Sequence, residues 1–412
     1  MAKHDIVVGL DIGTSNVRCV IGEVAPDQSI EILGKGACPS KGLKKGAVVD
    51  IDEAAKSIET AVSEAEKMAG FHINCVYVGV TGEYISSMGS HGVVTIGSSD
   101  KEINEGDIRR VIEAARLVGV PNDREIIHVI PRSFMIDGTD GVKNPVGMSG
   151  MRLEVDAHII MGMMTFLENI NKSVQRAGLE IEENGIVLGS IPTGLSVLSE
   201  EEKELGIVLV DIGGGTTDVA IFKHNSLVHT AILPIGGSNI TYDIVIVLRI
   251  PQQEAERIKV SKGCASMELV KEDEQIEVIS LSSVDPPSVS RMELAEVIEG
   301  RLMDIFEWLR KEIRKVTKSG IHLAGVTLTG GCAAIEGIAG VAQNALQLPV
   351  RIGRPMAVSA MMPEVMKDPA YAMAMGLVLY GSRKKSRSIE RVSQSKVGDI
   401  FQKVLQWLHE VF

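Results

Sequence analysis

Asp11-Ile12-Gly13-Thr14-Ser15-Asn16 returns two hundred residues later as Asp211-Ile212-Gly213-Gly214-Gly215-Thr216-Thr217-Asp218. Each copy lies between two apolar segments of strand length: Ile6 to Leu10 and Val17 to Ile21 flank the first, Ile207 to Val210 and Val219 to Phe222 the second. Both glycine runs are therefore read as hairpin turns. A dinucleotide fingerprint needs a strand, glycines and then a helix, and a P-loop needs Lys followed by Ser or Thr after its glycines. Neither pattern is present, so the repeat predicts two matched lobes with a nucleotide between them.

The 412 residues suffice for about two to four domains, so no single compact core is expected. A net charge of -12 and 3% aromatic residues argue against nucleic-acid binding, which wants a basic face and stacking rings. Cys19, Cys38, Cys75, Cys264 and Cys332 form no Cys-x-x-Cys pair and sit near no histidine cluster. Reduced thiols in a cytosolic protein are the expectation, without zinc or a disulfide framework. The N-terminus carries no apolar signal region, and no apolar run reaches the ~18 residues of a membrane span.

Along the chain, a strand-rich start leads to a helix from about Asp52 to Ala69, opened by Asp50 or Asp52, with Ala54, Ala55, Ile58, Ala61, Val62, Ala65 and Met68 on one face. The strand Cys75 to Val80 follows. Between about Glu83 and Met161 the texture changes to short strands, a helix near Asp107 to Val118 and a Gly/Asn-rich loop, which reads as an inserted small domain. Helices are expected over Met164 to Ala177, Ile240 to Leu248, Gln253 to Lys262 and Ala295 to Val316. Asp273 to Ser290 reads as a polar loop with edge strands. A strand Gly325 to Thr329 meets the turn Gly330-Gly331 and a helix from Ala333, and the globular body closes with Tyr371 to Gly381.

Glycine turns let backbone N–H groups approach an anion without an intervening Cβ. Gly13, Gly213, Gly214, Gly215, and Gly236-Gly237 downstream, are candidate phosphate contacts, with Thr14, Ser15, Asn16, Thr216 and Thr217 supplying polar side chains. Asp11 and Asp211, at the ends of their strands, can hold Mg2+ through water. Gly330 and Gly331 can let an adenine ring lie against the backbone. Glu256 and Lys259, three apart on one helix face, can reach a ribose or base, or can simply form an exposed ion pair.

Together these motifs resemble the actin, Hsp70 and sugar-kinase ATPase superfamily: Val8 to Ile21 its first phosphate motif, Leu209 to Phe222 its second, Val326 to Gly337 its adenosine motif, and Gly185 to Leu198 and Tyr371 to Gly381 its connecting segments. Within it, His128-Val129-Ile130-Pro131 with Lys143 to Gly150, and Leu294-Ala295-Glu296-Val297-Ile298-Glu299-Gly300-Arg301, resemble the FtsA family of bacterial cell-division proteins. The resemblance implies an α/β, actin-like two-lobed ATPase fold of duplicated RNase H-like domains, with an inserted α+β subdomain 1C in place of 1B. Its implied division is 1–83, 162–195 and 360–381 for 1A, 84–161 for 1C, 196–228 and 304–359 for 2A, and 229–303 for 2B. It also implies ATP between the lobes, head-to-tail filaments, contacts with later division proteins, and binding of the FtsZ C-terminal peptide on 2B through Arg301. Arg291 is a second choice for that contact, and either arginine alone can equally be a solvated helix charge.

The tail carries its own signal. On a helical wheel Val397, Ile400, Phe401, Val404, Leu405, Trp407, Leu408, Val411 and Phe412 fill one arc of about 160°, and every polar residue of 396–412 lies outside it. The preceding segment 382–395 is rich in Ser, Lys and Arg and reads as a flexible linker. A tethered amphipathic helix suits an anionic membrane surface, with a groove on a partner protein as the alternative. Its two lysines are balanced by Asp399 and Glu410, a departure from a strongly basic anchor, so attraction would come from the linker or from filament avidity.

The expected function is an ATP-binding actin-like protein that polymerises and tethers FtsZ to the cytoplasmic face of the inner membrane at the division site. The alternatives are a pilus-assembly adaptor or a small-molecule kinase of the same superfamily. The segment Ser190 to Ser196 holds no carboxylate to serve as a general base, so at most a slow ATPase is expected.

Overall fold

The structure is a computed structural model that describes residues 5–25, 27, 29–97, 101–117, 119–279, 288–318, 320–356 and 363–394. The first lobe begins with β1 (Asp5–Ile12), β2 (Asn16–Val24) and β3 (Ile30–Pro39), a small hairpin β4 (Leu43–Lys44) and β5 (Ala47–Val48), α1 (Ile51–Ala69) and β6 (Cys75–Val80). The inserted layer contains β7 (Ile85–Thr95), α2 (Glu105–Arg116), β8 (Arg124–Ile136), β9 (Thr139–Val142) and β10 (Arg152–Met163). The chain returns through α3 (Met164–Arg176) and β11 (Glu180–Leu188), then crosses by α4 (Ser190–Val197) and α5 (Glu200–Leu205).

The second lobe holds β12 (Ile207–Ile212), β13 (Thr217–Lys223), β14 (Ser226–Leu233), α6 (Gly237–Leu248), α7 (Gln252–Lys262), β15 (Gln275–Glu277), β16 (Ser288–Ser290), α8 (Arg291–Thr317), β17 (Gly325–Thr329), α9 (Ile338–Leu346) and β18 (Val350–Ile352). The described chain ends with α10 (Pro363–Lys367) and α11 (Ala372–Gln394).

The two large sheets have the same build. In the first the order is β11-β6-β1-β2-β3, in the second β14-β13-β12-β17-β18. Each starts as an antiparallel three-stranded meander and continues from its first strand into parallel strands reached by helical crossovers, β6 beside β1 and β17 beside β12. The duplication expected from the repeated glycine turns is thus a duplication of whole sheets. The inserted layer is a separate four-stranded sheet, order β7-β10-β8-β9, with α2 on one face. It also touches the second lobe, where Thr230 on β14 meets His158 Nε2 at 2.9 Å and accepts from Ser87 Oγ at its carbonyl, 3.4 Å.

Local chemistry sets the element ends. Asp50 caps α1, accepting from Glu53 N at 3.0 Å, and Asn104 caps α2 in a reciprocal pair with Asp107. The helix expected from Ala333 instead forms as a short 3-10 turn over Gly331–Ala334. Ile335 is extended, Gly337 has φ 81°, and α9 starts only at Ile338.

Several separate cores form. One lies between α1, α3 and the first sheet, one inside the second lobe and one inside the inserted layer. Another joins the lobes: Val7, Val20 and Tyr77 from the first sheet and Leu209, Ala220 and Phe222 from the second meet around Ile191, Leu195, Leu377 and Val378 of α4 and α11. These two helices cross so closely that a Cβ on Gly376 would sit 1.8 Å from the Pro192 carbonyl oxygen.

Residues 382–394 do not follow the expectation of a flexible linker from Ser382, and residue 395 lies outside the described residues. The backbone of α11 is helical through Gln394, and its first added turn is tied to the first lobe by Lys384 Nζ on the Asn184 carbonyl (3.0 Å) and Lys385 Nζ on the Ile6 carbonyl (2.6 Å). The amphipathic segment 396–412 lies outside the described residues.

Gly376→Val should lower stability by about 3 kcal/mol, since backbone rather than a yielding side chain blocks the space. Gly340→Ala, on α9 with no atom within 4 Å, should leave stability unchanged or raise it by up to ~1 kcal/mol. Urea unfolding midpoints of the two variants check this contrast.

Candidate functional site

The two glycine turns face each other across the interlobe cleft. In the first hairpin Asp11 pairs across the strands with Arg18, and in the second Asp211 pairs with Asp218. The tips are in contact: a Cβ on Gly214 would lie 2.0 Å from Ser15 Oγ, and one on Gly215 2.6 Å from Thr14 Oγ1. Thr14 Oγ1 accepts from Gly46 N (2.9 Å), and the Ser15 and Ser238 hydroxyls are 3.5 Å apart. From behind, α6 is bonded to the second turn through Gly237 N on the Gly213 carbonyl (2.9 Å) and Ser238 N on the Gly214 carbonyl (2.7 Å).

Between the lobes is a cavity of about 470 Å³, within the range of nucleotide-sized pockets. Its wall includes Asp11, Gly13, Thr14, Ser15 and Asn16 of the first turn and Asp211, Gly213, Gly214, Gly215 and Thr216 of the second, with Gly237, Glu256, Lys259, Gly330 and Gly331. Two expected residues stand behind that wall: Thr217 is fully buried and donates to the Ile235 carbonyl (2.8 Å), and Gly236 packs against the backbone of Gly213 and Gly214.

Beside α6, Lys259 is 7% exposed and donates to Glu256 Oε2 (2.6 Å), Thr241 Oγ1 (2.8 Å) and the Gly237 carbonyl (3.1 Å). The lysine end of the Glu256–Lys259 pair is therefore built into the cavity wall, while the Glu256 side chain is 46% exposed. Gly330 has φ +83°, and a Cβ there would meet Asp211 Oδ1 at 2.1 Å, so the turn needs glycine on both counts. Gly331 has open space beside it.

The two arginines singled out for partner contact separate. Arg301, on α8, bonds Asp243 of α6 (2.7 and 3.1 Å) and Asp304 (3.0 Å) at the surface. Arg291, at the start of the same helix, lines the nucleotide-sized cavity.

Burial dominates the electrostatics. Asp11 and Asp211 are each 8% exposed and Asp218 is 7% exposed. Desolvation lifts the Asp11 carboxyl to about 6, with Arg18 opposing the rise, and Asp218 to about 6, with the Thr81 and Thr216 hydroxyls opposing it. Asp211 goes to about 8, because the charges of Asp218 and Asp11 add to its desolvation. The contrast follows from the register, which gives Asp11 a cationic cross-strand partner and Asp211 an anionic one.

Such a site favours a cation. Among the described residues no group of three or more His, Cys, Asp or Glu side chains is spaced to hold a metal ion directly. Sequence reasoning left out Asp218, Arg18 and Thr81. Asp218 stood inside the quoted motif, while Thr81 joins Thr216 (3.3 Å between hydroxyls) and Asp218 from the end of β6 in the other lobe.

Comparison with known proteins decides the family. The profile described as "Cell division protein FtsA" matches residues 208–376, and the SHS2 domain inserted in FtsA matches residues 82–161. The cell division protein FtsA of Pseudomonas aeruginosa is 43% identical over 381 residues, 92% of this chain and 90% of that protein. This chain belongs to the FtsA family. The Escherichia coli K12 member is 38% identical, covering 99% of this chain and 98% of its own length, and the Bacillus subtilis member is 40% identical, covering 97% and 87%.

Among solved structures, a PilM-PilN type IV pilus biogenesis complex aligns with TM-score 0.66 at 15% identity, over 91% of this chain and 98% of that one. MreB5 of Spiroplasma citri bound to ADP aligns with TM-score 0.54 at 16% identity, over 93% and 98%. These likenesses establish the actin-like fold. The family membership establishes a cell-division role, in place of the pilus and kinase alternatives.

A carboxyl whose pKa is raised on folding binds more protons folded than unfolded, so its contribution falls as pH rises from about 4 to about 8. Asp211→Asn in this FtsA-family protein should therefore raise the nucleotide-free unfolding midpoint at pH 8 by about 3 °C or more. Asp11→Asn should do less, because it removes the partner of Arg18. Thermal unfolding of both variants at pH 5 and pH 8 checks the order, and the gain should shrink at pH 5.

Proposed function

We propose that this FtsA-family chain binds ATP with Mg2+ in the interlobe cleft, assembles head to tail with its own kind, and links the C-terminal peptide of FtsZ to the anionic cytoplasmic face of the inner membrane at the division site. The observation that carries the adaptor reading is the surface around Arg301. Helix α6 buries Ile240 and Ile244 yet also leaves Tyr242 64%, Ile246 57% and Val247 47% exposed. A helix apolar on an uncovered face beside an arginine offers a peptide both an apolar contact and a fork for its carboxylates. Asp243 already holds the Arg301 fork, so an acidic peptide would replace one carboxylate by another.

ATP binding is supported by the paired turns, the cavity between them and the buried carboxylates. When bound, Mg2+ would offset the charge of both the phosphates and the aspartates. Asp11 and Asp211 would hold its waters, the turn N–H groups and the Thr14, Ser15 and Thr216 hydroxyls would orient the phosphates, and Gly330-Gly331 would face the base. Asp218 is the carboxylate added to this picture by the structure. Its two oxygens accept from Thr81 and Thr216, an engagement that supports slow turnover.

Filament formation and contacts with later division proteins rest on the family membership. Membrane attachment rests on the apolar arc Val397, Ile400, Phe401, Val404, Leu405, Trp407, Leu408, Val411 and Phe412. Among the described residues no helix is long and apolar enough to cross a membrane.

Because α11 is docked past Gly381, the informative truncation ends at Gln394. With Mg-ATP, the full chain should sediment with anionic liposomes and carry an FtsZ C-terminal peptide down, and the truncated chain should stay in the supernatant. Equal partitioning of both chains would remove the membrane role. Arg301→Glu should weaken the peptide about tenfold or more. It should lower the unfolding midpoint by only a few degrees, since a partly exposed ion pair contributes about 1 kcal/mol or less and the new carboxylate meets Asp243 and Asp304 near solvent.

A further inference from the structure

Arg291 lines the cleft with its side chain 16% exposed and four hydrogen bonds on its guanidinium. Nε donates to the Lys262 carbonyl (3.0 Å), Nη1 to both carboxylate oxygens of Glu274 (3.1 and 3.0 Å), and Nη2 to Glu336 Oε2 (2.7 Å). Its backbone N–H adds a bond to the Glu274 carbonyl, 2.9 Å.

These partners come from two adjoining walls of one space, which also meet through a bridge between Cys264 and Glu336. Lys262 ends α7, the helix that presents Glu256 and Lys259 to the cavity, while Glu336 follows the turn that carries Gly330, Gly331 and Cys332. The arginine is thus a clamp where these two walls of the cavity meet.

We propose that Arg291 is a positioning residue for the base of a purine nucleotide, fixing the α7 wall against the glycine-turn wall so that the two keep a set angle around a planar ring. The inference rests on the nucleotide reading of the cleft and assigns Arg291 to it in place of the FtsZ contact. A planar fork satisfies three acceptors in fixed directions, which the single ammonium of lysine does not reproduce. Without the fork, Glu274 and Glu336 lose a shared cation at the rim. A second tie, Ala265 N on the Glu336 carbonyl (2.8 Å), keeps the walls joined, so loss of the arginine should loosen the pocket without unfolding the protein.

The test compares the full chain with Arg291→Ala, Arg291→Lys and Glu336→Gln by calorimetric titration with Mg-ATP, Mg-UTP and Mg-tripolyphosphate. Arg291→Ala should weaken ATP about tenfold or more, reduce the preference for ATP over UTP, and leave tripolyphosphate within about twofold. Arg291→Lys should recover only part of the loss, and Glu336→Gln should move in the same direction by less. Peptide binding through Arg301 should persist in all three. An equal loss for ATP and tripolyphosphate, or no loss for either, overturns the assignment while leaving the nucleotide reading intact. If the unaltered chain binds neither ligand, both are overturned.

Discussion

The approach of α4 to α11 governs the rest of the molecule. Each lobe has a sheet whose cleft-facing end is a glycine turn, and those turns can meet only if the sheets are held to a common axis. That axis is the helix pair, with Gly376 against the Pro192 carbonyl and apolar side chains of both sheets packed around it. Close packing at the crossing leaves no slack, so a change of angle there would be amplified at the distant turn tips. The inserted layer adds a second bridge, from β10 and β7 to Thr230 on β14. Relative motion of the lobes must therefore be accommodated at both of these bridges and at the cleft itself, where Thr81 reaches Thr216 and Asp218.

The cleft concentrates unfavourable electrostatics where the fold is most constrained. Three aspartates with little exposure face each other, and the register of two hairpins decides which suffers most. Arg18 relieves Asp11, and hydroxyls relieve Asp218, but Asp211 has only repulsive carboxylates and a more distant arginine. Groups so perturbed cluster where a ligand completes the charge balance. The same geometry ties affinity for a cation to pH, because proton and cation compete for one carboxylate.

Much of this was legible in the chain. The strands Cys75–Val80 and Gly325–Thr329 and the two hairpins were plain because buried strands between turn residues leave a short, unambiguous apolar run. What the sequence hid depends on distance along the chain. Asp218 is chemically distinct only because register sets it across from Asp211. Thr81 reaches Thr216 from 135 residues away, and α8 places Arg291, its first residue, and Arg301, near its middle, in different environments although only ten residues separate them. Residues 382–394 misled for another reason. Their composition is too polar to nucleate structure alone, but Arg, Lys, Glu and Gln extend a helix readily once an apolar one has formed, with one further bond per residue. Gly381 does not stop the helix; a Cβ there would lie 2.5 Å from the Tyr77 ring, so its smallness serves packing.

The extension of α11 changes the mechanics of whatever its end reaches. A flexible segment fixes a maximum distance and leaves orientation free. A helix from Ser382 to Gln394, clamped at its base by Lys384 and Lys385, projects about 20 Å in one direction and resists bending. It works as a mast rather than a mooring line. In the filament proposed above, each subunit would lean at the same angle to the membrane, and torque on the far end would return to β1, where Lys385 bonds the Ile6 carbonyl five residues from Asp11.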